Sequence, residues 1–508
     1  MTDRHHRLSE QKGSSTRRAL CEGITLLGLG PGDPALLTRG AWDWLGAIDK
    51  LWLRTKHHPT VAHLPGHLDL ESFDHLYEGA ESFETVYAAI VEEILALGQS
   101  SCVTYAVPGH PFVAEATCPE IVKRAEAAGI PLQVIDGISF LEPTFRAVGL
   151  DPFPNLVLMD AIEVMQRETP GFPPSSPALI AQIYDRDVAA EVKLTLMSAY
   201  PDEHPVKLVH AAGTAEELVE ELQLHEVDKS RYLGLLSSLF VAPLSPQASF
   251  ESFQEVIARL RAPDGCPWDR EQTHLSLRPF LLEEAYEALD ALDRGDMDDL
   301  AEELGDLLLQ IVLHAQVATE AGDFNIHHVI EGIANKLIRR HPHVFSEVNV
   351  AGVEGVIHNW EQIKAEERHN NGIPEKSGLL DGVPTALPAL SQAEQIIERV
   401  GRVGFPHLAA TAEPGAIREM LDDFETKKPE DKMKALGELL LGVTVLAHQD
   451  GVDAESALRE TLTHFRNRFG IMEAQVLDNG RTLMNLSEEE HKHLWEATGN
   501  DIESQAGS

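Results

Sequence analysis

From Gly23 to about Pro246, short apolar runs rich in β-formers alternate with stretches whose apolar residues recur at helical spacing. Ile24–Gly30 (ITLLGLG), Lys50–Arg54, Cys102–Gly109, Leu132–Gly137 and Val206–Gly213 read as strands, with Glu81–Leu97 and Thr117–Ala128 as helices between them. Strands alternating with helices predict an α/β block on a largely parallel sheet. After Pro243–Ser249 (PLSPQAS) the β signal stops. Phe250 to about Phe345 reads as helical, punctuated at Gly265–Pro267, Arg294–Gly295 and Gly322–Asp323. A looser stretch, Ser346–Pro388, holds one predicted helix, Asn359–Arg368, and a turn-rich run, Asn370–Pro384. Helix then resumes from Ala389 to about Thr498.

The two helical blocks resemble each other. Glu303–Gln316 (ELGDLLLQIVLHAQ) parallels Ala435–Gln449 (ALGELLLGVTVLAHQ), and Arg339–Phe345 (RRHPHVF), preceded by Lys336, has a late counterpart in Phe465–Phe469 (FRNRF). Internal duplication is the simplest account. The expected organisation is a disordered tail over 1–21, an α/β domain over 22–246, helical domains over 250–370 and 386–498, and a closing tail over 499–508.

Length and charge narrow the field. At roughly 150 residues per domain, 508 residues suggest about three domains. Asp and Glu total 82 against 41 Lys and Arg, a net charge of −41. So acidic a chain is not expected to coat nucleic acid or bind an anionic membrane, since both require a cationic surface. It remains compatible with a nucleotide substrate, because carboxylates can hold the divalent ion that phosphates require. Cys21, Cys102, Cys118 and Cys266 are too few and too scattered for a disulfide framework or a zinc knuckle. No apolar stretch approaches the roughly 20 residues that span a bilayer. The polar segment Met1–Arg18 lacks the apolar core of a signal peptide, and a cytoplasmic protein is expected.

The sharpest chemical signal lies in Leu281–Leu292 (LLEEAYEALDAL) and Asp299–Ile311 (DLAEELGDLLLQI). Leu281, Ala285, Ala288 and Leu292 form an apolar stripe at helical spacing, and Leu300, Leu304, Leu307 and Ile311 form another. Glu284 and Glu287 stand at one offset from the first stripe, Glu303 and Asp306 at the same offset from the second. The short connection Asp293–Asp298 makes the helices antiparallel partners. With the stripes facing, four carboxylates meet at one edge of the seam, where repulsion raises their pKa values unless a cation joins them. Mg²⁺ suits such a cluster, taking carboxylate oxygens while leaving room for substrate phosphates. A single Glu-x-x-Glu pair is usually a solvated acidic face; two pairs at matched offsets set this region apart.

The quartet resembles the E-x-x-E…E-x-x-D signature of the all-α nucleoside triphosphate pyrophosphohydrolases of the MazG type. Arg259–Thr273 (RLRAPDGCPWDREQT), Arg294–Leu300, Lys336–Phe345 and Asn359–Arg368 follow in that family's order, so the resemblance covers roughly Phe250–Arg368. It implies hydrolysis of a nucleoside triphosphate to monophosphate and pyrophosphate, with Glu284, Glu287, Glu303 and Asp306 as catalytic ligands of Mg²⁺. Lys336, Arg339 and Arg340 are then substrate-binding groups that neutralise the leaving pyrophosphate; otherwise they are a basic helix end. Trp360 is then a stacking surface for base or ribose, and otherwise a packing residue. Cys266 and Trp268 read as a structural turn.

The second helical block lacks the quartet. Ala435 stands where Glu303 does and Glu438 where Asp306 does, while the upstream counterparts are Met420 and Asp423, or in another register the acidic pair Glu419 and Asp422. Loss of hard oxygen donors predicts a degenerate copy with a structural role, such as pairing two chains into a homodimer through the helical domains.

In the α/β block, Gly28–Thr38 (GLGPGDPALLT) follows the first strand and precedes a helix. Its glycines do not fit the dinucleotide pattern. The segment resembles the tetrapyrrole (corrin/porphyrin) methylases over about Gly23–Pro243, together with Ala106–Thr117, Asp136–Phe140 and His210–Thr214. The resemblance implies S-adenosylmethionine held by Gly28, Gly30, Gly32, Asp33, Pro108, Gly109, Gly137, Ser139 and Gly213. Two departures bear on methyl transfer: Gly109-His110-Pro111 lacks the following Gly/Arg turn, and Arg54–Thr60 (RTKHHPT) is His-rich.

The expected whole is therefore a tetrapyrrole-methylase-like α/β domain followed by two MazG-like all-α bundles. Its expected activity is Mg²⁺-dependent pyrophosphate release from nucleoside triphosphates in nucleotide-pool housecleaning. The alternative is an S-adenosylmethionine-dependent methyltransferase using the helices as scaffold. A non-enzymatic nucleotide sensor is disfavoured, since a sensor needs no metal-grade quartet.

Overall fold

The computed structural model describes residues 23–78, 82–346, 378–405 and 413–506, with scattered positions between 348 and 367. The expected tail over 1–21, Cys21, and residues 370–377 of the turn-rich run lie outside the described residues. The chain divides between Arg270 and Glu271 into two compact units.

The first unit holds two five-stranded sheets. Strands β1 (Ile24–Gly28), β2 (Lys50–Leu53), β3 (Asp69–Ser72), β4 (Val103–Val107) and β5 (Leu132–Ile135) run in the order β3-β2-β4-β1-β5, all neighbours parallel. The helices accompanying this sheet are α1 (Arg39–Leu45), α2 (Asp74–Tyr77), α3 (Phe83–Ser100) and α4 (Thr117–Ala128). β1 is apolar on both faces because both faces are covered. Ile24 and Leu26 pack with Ile90 and Ile94 of α3 and Ile121 of α4, whereas Leu27 packs with Ala41 and Leu45 of α1.

After α5 (Leu141–Val148), β6 (Val157–Asp160), α6 (Ala161–Met165), β7 (Ala178–Ala181), α7 (Arg186–Met197), β8 (Pro205–His210), β9 (Leu218–Gln223) and β10 (Ser237–Val241) complete the unit's sheets. The order of the second sheet is β6-β7-β10-β8-β9. The first sheet bears out the expected largely parallel sheet, whereas the second is mixed. Only β6 and β7 pair in parallel; β7–β10, β10–β8 and β8–β9 are antiparallel. The connection from β8 to β9 is too short for a crossover helix, so it forces a hairpin. Two further helices, α8 (Phe250–Arg261) and α9 (Pro267–Glu271), follow. The sequence placed the start of the helical domain at residue 250, but by its contacts α8 belongs to the first unit. Cys266 donates its backbone N–H to the Leu260 carbonyl at 2.7 Å, closing the turn between α8 and α9.

The second unit is helical. α10 (His274–Arg294) and α11 (Met297–Ala321) form an antiparallel hairpin, followed by α12 (Ile326–Arg340) and α13 (Pro342–Phe345). Gly295 ends α10 in the left-handed conformation, at φ 67°, and Asp296 caps α11 through the Asp299 N–H. Helices at Ala389–Gly401, Pro414–Thr426, Lys432–Gln449, Ala454–Asp478 and Glu488–Ala506 complete the description. Among the described residues, no helix is long and apolar enough to cross a membrane.

Candidate active site

The face that α10 turns to α11 differs from the one apolar content predicts. Leu277, Ala288 and Ala291 are the buried residues of α10, and Glu284, half-buried, continues their line at spacings of three, four and seven. On α11 the matching line is Glu303, Asp306, Gln310 and Leu313, the last two buried. Of the predicted stripes, Ala288 is buried and Ala285, Leu300 and Leu307 are half-buried, whereas Leu281, Leu292, Leu304 and Ile311 are exposed. Two alanines and the acidic residues hold the close-approach positions, where bulky leucines would force the helices apart. Glu284, Glu303 and Asp306 are thus half-buried along the contact between the two helices, with Glu287 exposed beside them.

Glu284, Glu303 and Asp306 each offer a carboxylate oxygen within 4.8 Å of the others. Glu287 is more exposed and falls outside that trio, but it hydrogen-bonds Glu284. Desolvation first, then Glu287 and Asp306, pushes the Glu284 carboxyl above the ordinary glutamate range. Glu303 is raised by desolvation and by the negative charges of Glu287, Asp299 and Asp306. Hard oxygen donors crowded at this spacing are a donor set that fits a divalent cation such as Mg²⁺.

The basic residues are placed differently from one another. Lys336 is exposed on α12. Arg339 and Arg340, at its end, both bind Glu367 at 2.6 Å, and the two guanidinium groups, Arg340 foremost, hold that carboxyl down at about 2. Arg340 also lies 5.7 Å from the centre of the Trp360 ring. Sequence reasoning missed Glu367, although it stands inside NWEQIKAEER. Of the predicted helix Asn359–Arg368, only 359–360, 362–363 and 367 are described, all helical.

In the first unit, the loops assigned to S-adenosylmethionine converge at the carboxyl ends of β1, β4 and β5. Gly30 and Gly109 exchange backbone hydrogen bonds of 3.2 and 2.8 Å. Gly28 and Gly137 pack so closely on the Gly109 carbonyl that a Cβ on either would lie within 2.5 Å of its oxygen. Pro108 leads into this contact, and His110 reaches Asp136 at 3.4 Å. Ser139 donates to Glu142 at 2.5 Å and accepts the Leu141 N–H. Asp33 caps Ala35 and donates its backbone N–H to Gly213, and a Cβ on Gly32 would meet Thr214 at 2.7 Å. The glycines thus let these loops pack on one another at the carboxyl edge of the parallel sheet, the edge at which open α/β sheets receive ligands.

In the later hairpin, Ala435 is buried, Met420 half-buried, and Glu438 and Asp423 exposed. The acids are turned to neighbouring lysines, Lys434 at 3.7 Å and Lys427 at 3.1 Å. Glu419 is exposed as well, so the inward position of that helix belongs to Met420.

Residues 272–345 match the MazG nucleotide pyrophosphohydrolase domain, and residues 23–228 match the tetrapyrrole (corrin/porphyrin) methylases. An uncharacterized protein of Bacillus subtilis (strain 168), YabN, is 38% identical over 93% of this chain and 97% of its own length. The nucleoside triphosphate pyrophosphohydrolase/pyrophosphatase MazG of Thermotoga maritima is 40% identical over 50% of this chain and 96% of its own length. The nucleoside triphosphate pyrophosphohydrolase of Escherichia coli (strain K12) is 38% identical over 47% of this chain and 93% of its own.

Proposed function

The chain belongs to the MazG nucleotide pyrophosphohydrolase family and carries a tetrapyrrole-methylase domain ahead of its helical part, and we propose that it is a Mg²⁺-dependent enzyme converting nucleoside triphosphates to monophosphates and pyrophosphate. The observation that carries this reading is the trio of Glu284, Glu303 and Asp306 oxygens within 4.8 Å in the α10–α11 seam. With Glu287 beside them, these residues would hold Mg²⁺, which when bound polarises the α-phosphoryl group and lowers the pKa of a coordinated water. Asp306 and Glu303 fix one side of the seam and Glu284 the other, so the hairpin itself keeps the donors in register. Arg339 and Arg340 share one carboxylate, Glu367, and keep a net positive charge of one for the leaving pyrophosphate. Lys336, exposed on the same helix, adds to it. Nucleotide-pool housecleaning in the cytoplasm is the role this activity suits.

The exposed Leu281, Leu304 and Ile311 support a homodimer in which a second copy covers the helical hairpin. Ala435 in place of Glu303 and Met420 in place of Glu284 support reading the later hairpin as a degenerate copy with a structural role. The converging glycine loops favour a second activity: S-adenosylmethionine bound at Gly28, Gly30, Gly109, Gly137 and Ser139, with a methyl acceptor outside this reading.

The test is pyrophosphate release from the eight common nucleoside triphosphates, with and without Mg²⁺. Asp306→Ala is expected to lower the rate on the order of 10³-fold, the scale of several kcal/mol of lost transition-state stabilisation. Undiminished release by Asp306→Ala sinks the assignment.

A further inference from the structure

Two buried polar atoms of the catalytic hairpin have no hydrogen-bond partner among the described residues, Gln310 Oε1 and His314 Nε2. Both belong to α11, at four and eight residues beyond Asp306, so each step is about 6 Å along the helix axis. Gln310 is only 5% exposed and sits on the seam line that carries Glu303 and Asp306. His314 is half-buried, and its Nδ1 lies 2.8 Å from Nδ1 of His274, at the start of α10, with the two rings parallel within 3°. Buried polar atoms in folded chains are nearly always paired, so two orphans on one face mark a place where another group belongs.

The later hairpin supplies an internal control. Gly442 and Leu446 stand where Gln310 and His314 do, in the hairpin where Ala435 stands for Glu303. The copy without the carboxylate cluster also lacks both orphans. At the other end of the catalytic seam, Asp290, Asp296 and Asp299 crowd around Arg294. That turn is anionic and repels phosphate, which leaves the Gln310 end as the neutral direction for the rest of a nucleotide.

We propose that Gln310 and His314, backed by His274, form the floor that reads the heterocyclic base of the nucleotide; the inference rests on the pyrophosphohydrolase reading of the same seam. Gln310 Oε1 can only accept, so it calls for a ring N–H or an exocyclic amino group. One proton lies between the two Nδ1 atoms. It leaves His314 Nε2 a donor when His314 Nδ1 accepts, and an acceptor when His314 Nδ1 donates. Base edges present a donor beside an acceptor, and the imidazole can match either order. A floor that hydrogen-bonds a base N–H discriminates against a base lacking it far better than an apolar wall does.

The test uses the full chain and the variants Gln310→Met and His314→Leu. Specificity constants are measured for the eight common triphosphates. Independently, without metal, the four nucleoside 5′-monophosphates are titrated by calorimetry, and melting temperatures are recorded. The wild type should rank the bases in both assays, and each variant should flatten that ranking about tenfold. Gln310→Met should also melt higher, because a buried unpaired oxygen is gone. A ranking that survives both variants overturns the proposal, as does a wild type that neither ranks the bases nor binds the monophosphates. If no triphosphate yields pyrophosphate, the activity assignment falls, and the monophosphate titration alone decides whether the base floor exists.

Discussion

The α10–α11 hairpin and the later hairpin of Pro414–Thr426 with Lys432–Gln449 bury corresponding positions along their second helices. Gln310 matches Gly442, Val312 matches Thr444 and Leu313 matches Val445, each buried in its own hairpin. The packing frame is thus common to both. What differs is the polar content of the seam: Glu303 gives way to Ala435, and Glu284 to Met420, while Glu438 swings out to Lys434. A hairpin can therefore keep its helix-to-helix contact while losing every group that gives the contact chemistry. The two requirements are separable because a small residue, Ala435, can hold the close-approach position that Glu303 holds in the other hairpin.

The difference is broken most forcefully with metal. Mg²⁺ at about 100 times its dissociation constant should stabilise the chain by about 2.7 kcal/mol, read as a rise in melting temperature. Asp306→Asn should abolish that rise, whereas Glu438→Gln should leave it intact. Acidity tests the same point. Glu284 and Glu303 have raised carboxyls, desolvation being the leading cause, so without metal the folded state takes up protons at a higher pH than the unfolded state. Their contribution to stability therefore falls as pH rises from the ordinary glutamate value of 4.5 through the raised folded values, and stays low above them. The Mg²⁺ increment should be largest above that window and fade as pH falls through it. An increment that does not change with pH, or that survives Asp306→Asn, places the ion elsewhere.

Much of this contrast was legible in the sequence. Two acidic pairs at matched helical offsets pointed to four carboxylates, three of which, Glu284, Glu303 and Asp306, the structure brings together, and the parallel run of Glu303–Gln316 and Ala435–Gln449 showed Ala435 in the place of Glu303. Periodicity failed at the seam. It selects the most apolar line, which runs through Leu281, Leu292, Leu304 and Ile311, yet those residues are exposed. Close helix approach rewards small volume: Ala288 of that line is buried, and so is Ala291, which lies off it. In the front unit, the buried strands β1 and β4 were readable as continuous apolar runs. β9 was not, because LVEELQ is half polar and lies on the rim of its sheet. The partner of Arg339 and Arg340 was hidden for another reason: Glu367 lies 27 residues from Arg340, a separation at which spacing carries no information.

A smaller effect comes from placing carboxylates in the later hairpin. Ala435 is 5% exposed, so Ala435→Glu places a carboxylate in a packed seam with no cation to join it. Denaturant melts should report a loss of about 1–3 kcal/mol, the range for a buried polar group lacking a partner. Adding Met420→Glu brings a second carboxylate to the other helix, and Mg²⁺ should then restore part of the loss. If Ala435→Glu costs nothing, the buried alanine is not part of a close seam and the equivalence of the two hairpins fails.

The smallest expected effect concerns the link between the two regions. Arg459, on the helix Ala454–Asp478, reaches Asp293 near the end of α10 at 3.3 Å, with the two side chains 23% and 33% exposed. The same helix is capped by Asp453, which accepts the Ser456 N–H at 2.6 Å, so the arginine springs from the turn that follows a capped first turn and not from a loose end. Partial exposure screens the pair, and a coupling of about 0.2–1 kcal/mol is the expected scale. A double-mutant cycle with Arg459→Met and Asp293→Asn isolates it, because each single change removes the ion pair while keeping much of the side-chain volume. The coupling should shrink as salt rises. A non-zero coupling means that the block without a quartet still bears on the hairpin that has one, holding the end of α10 through its own helix. A coupling indistinguishable from zero at low salt would leave the two blocks energetically independent at this contact.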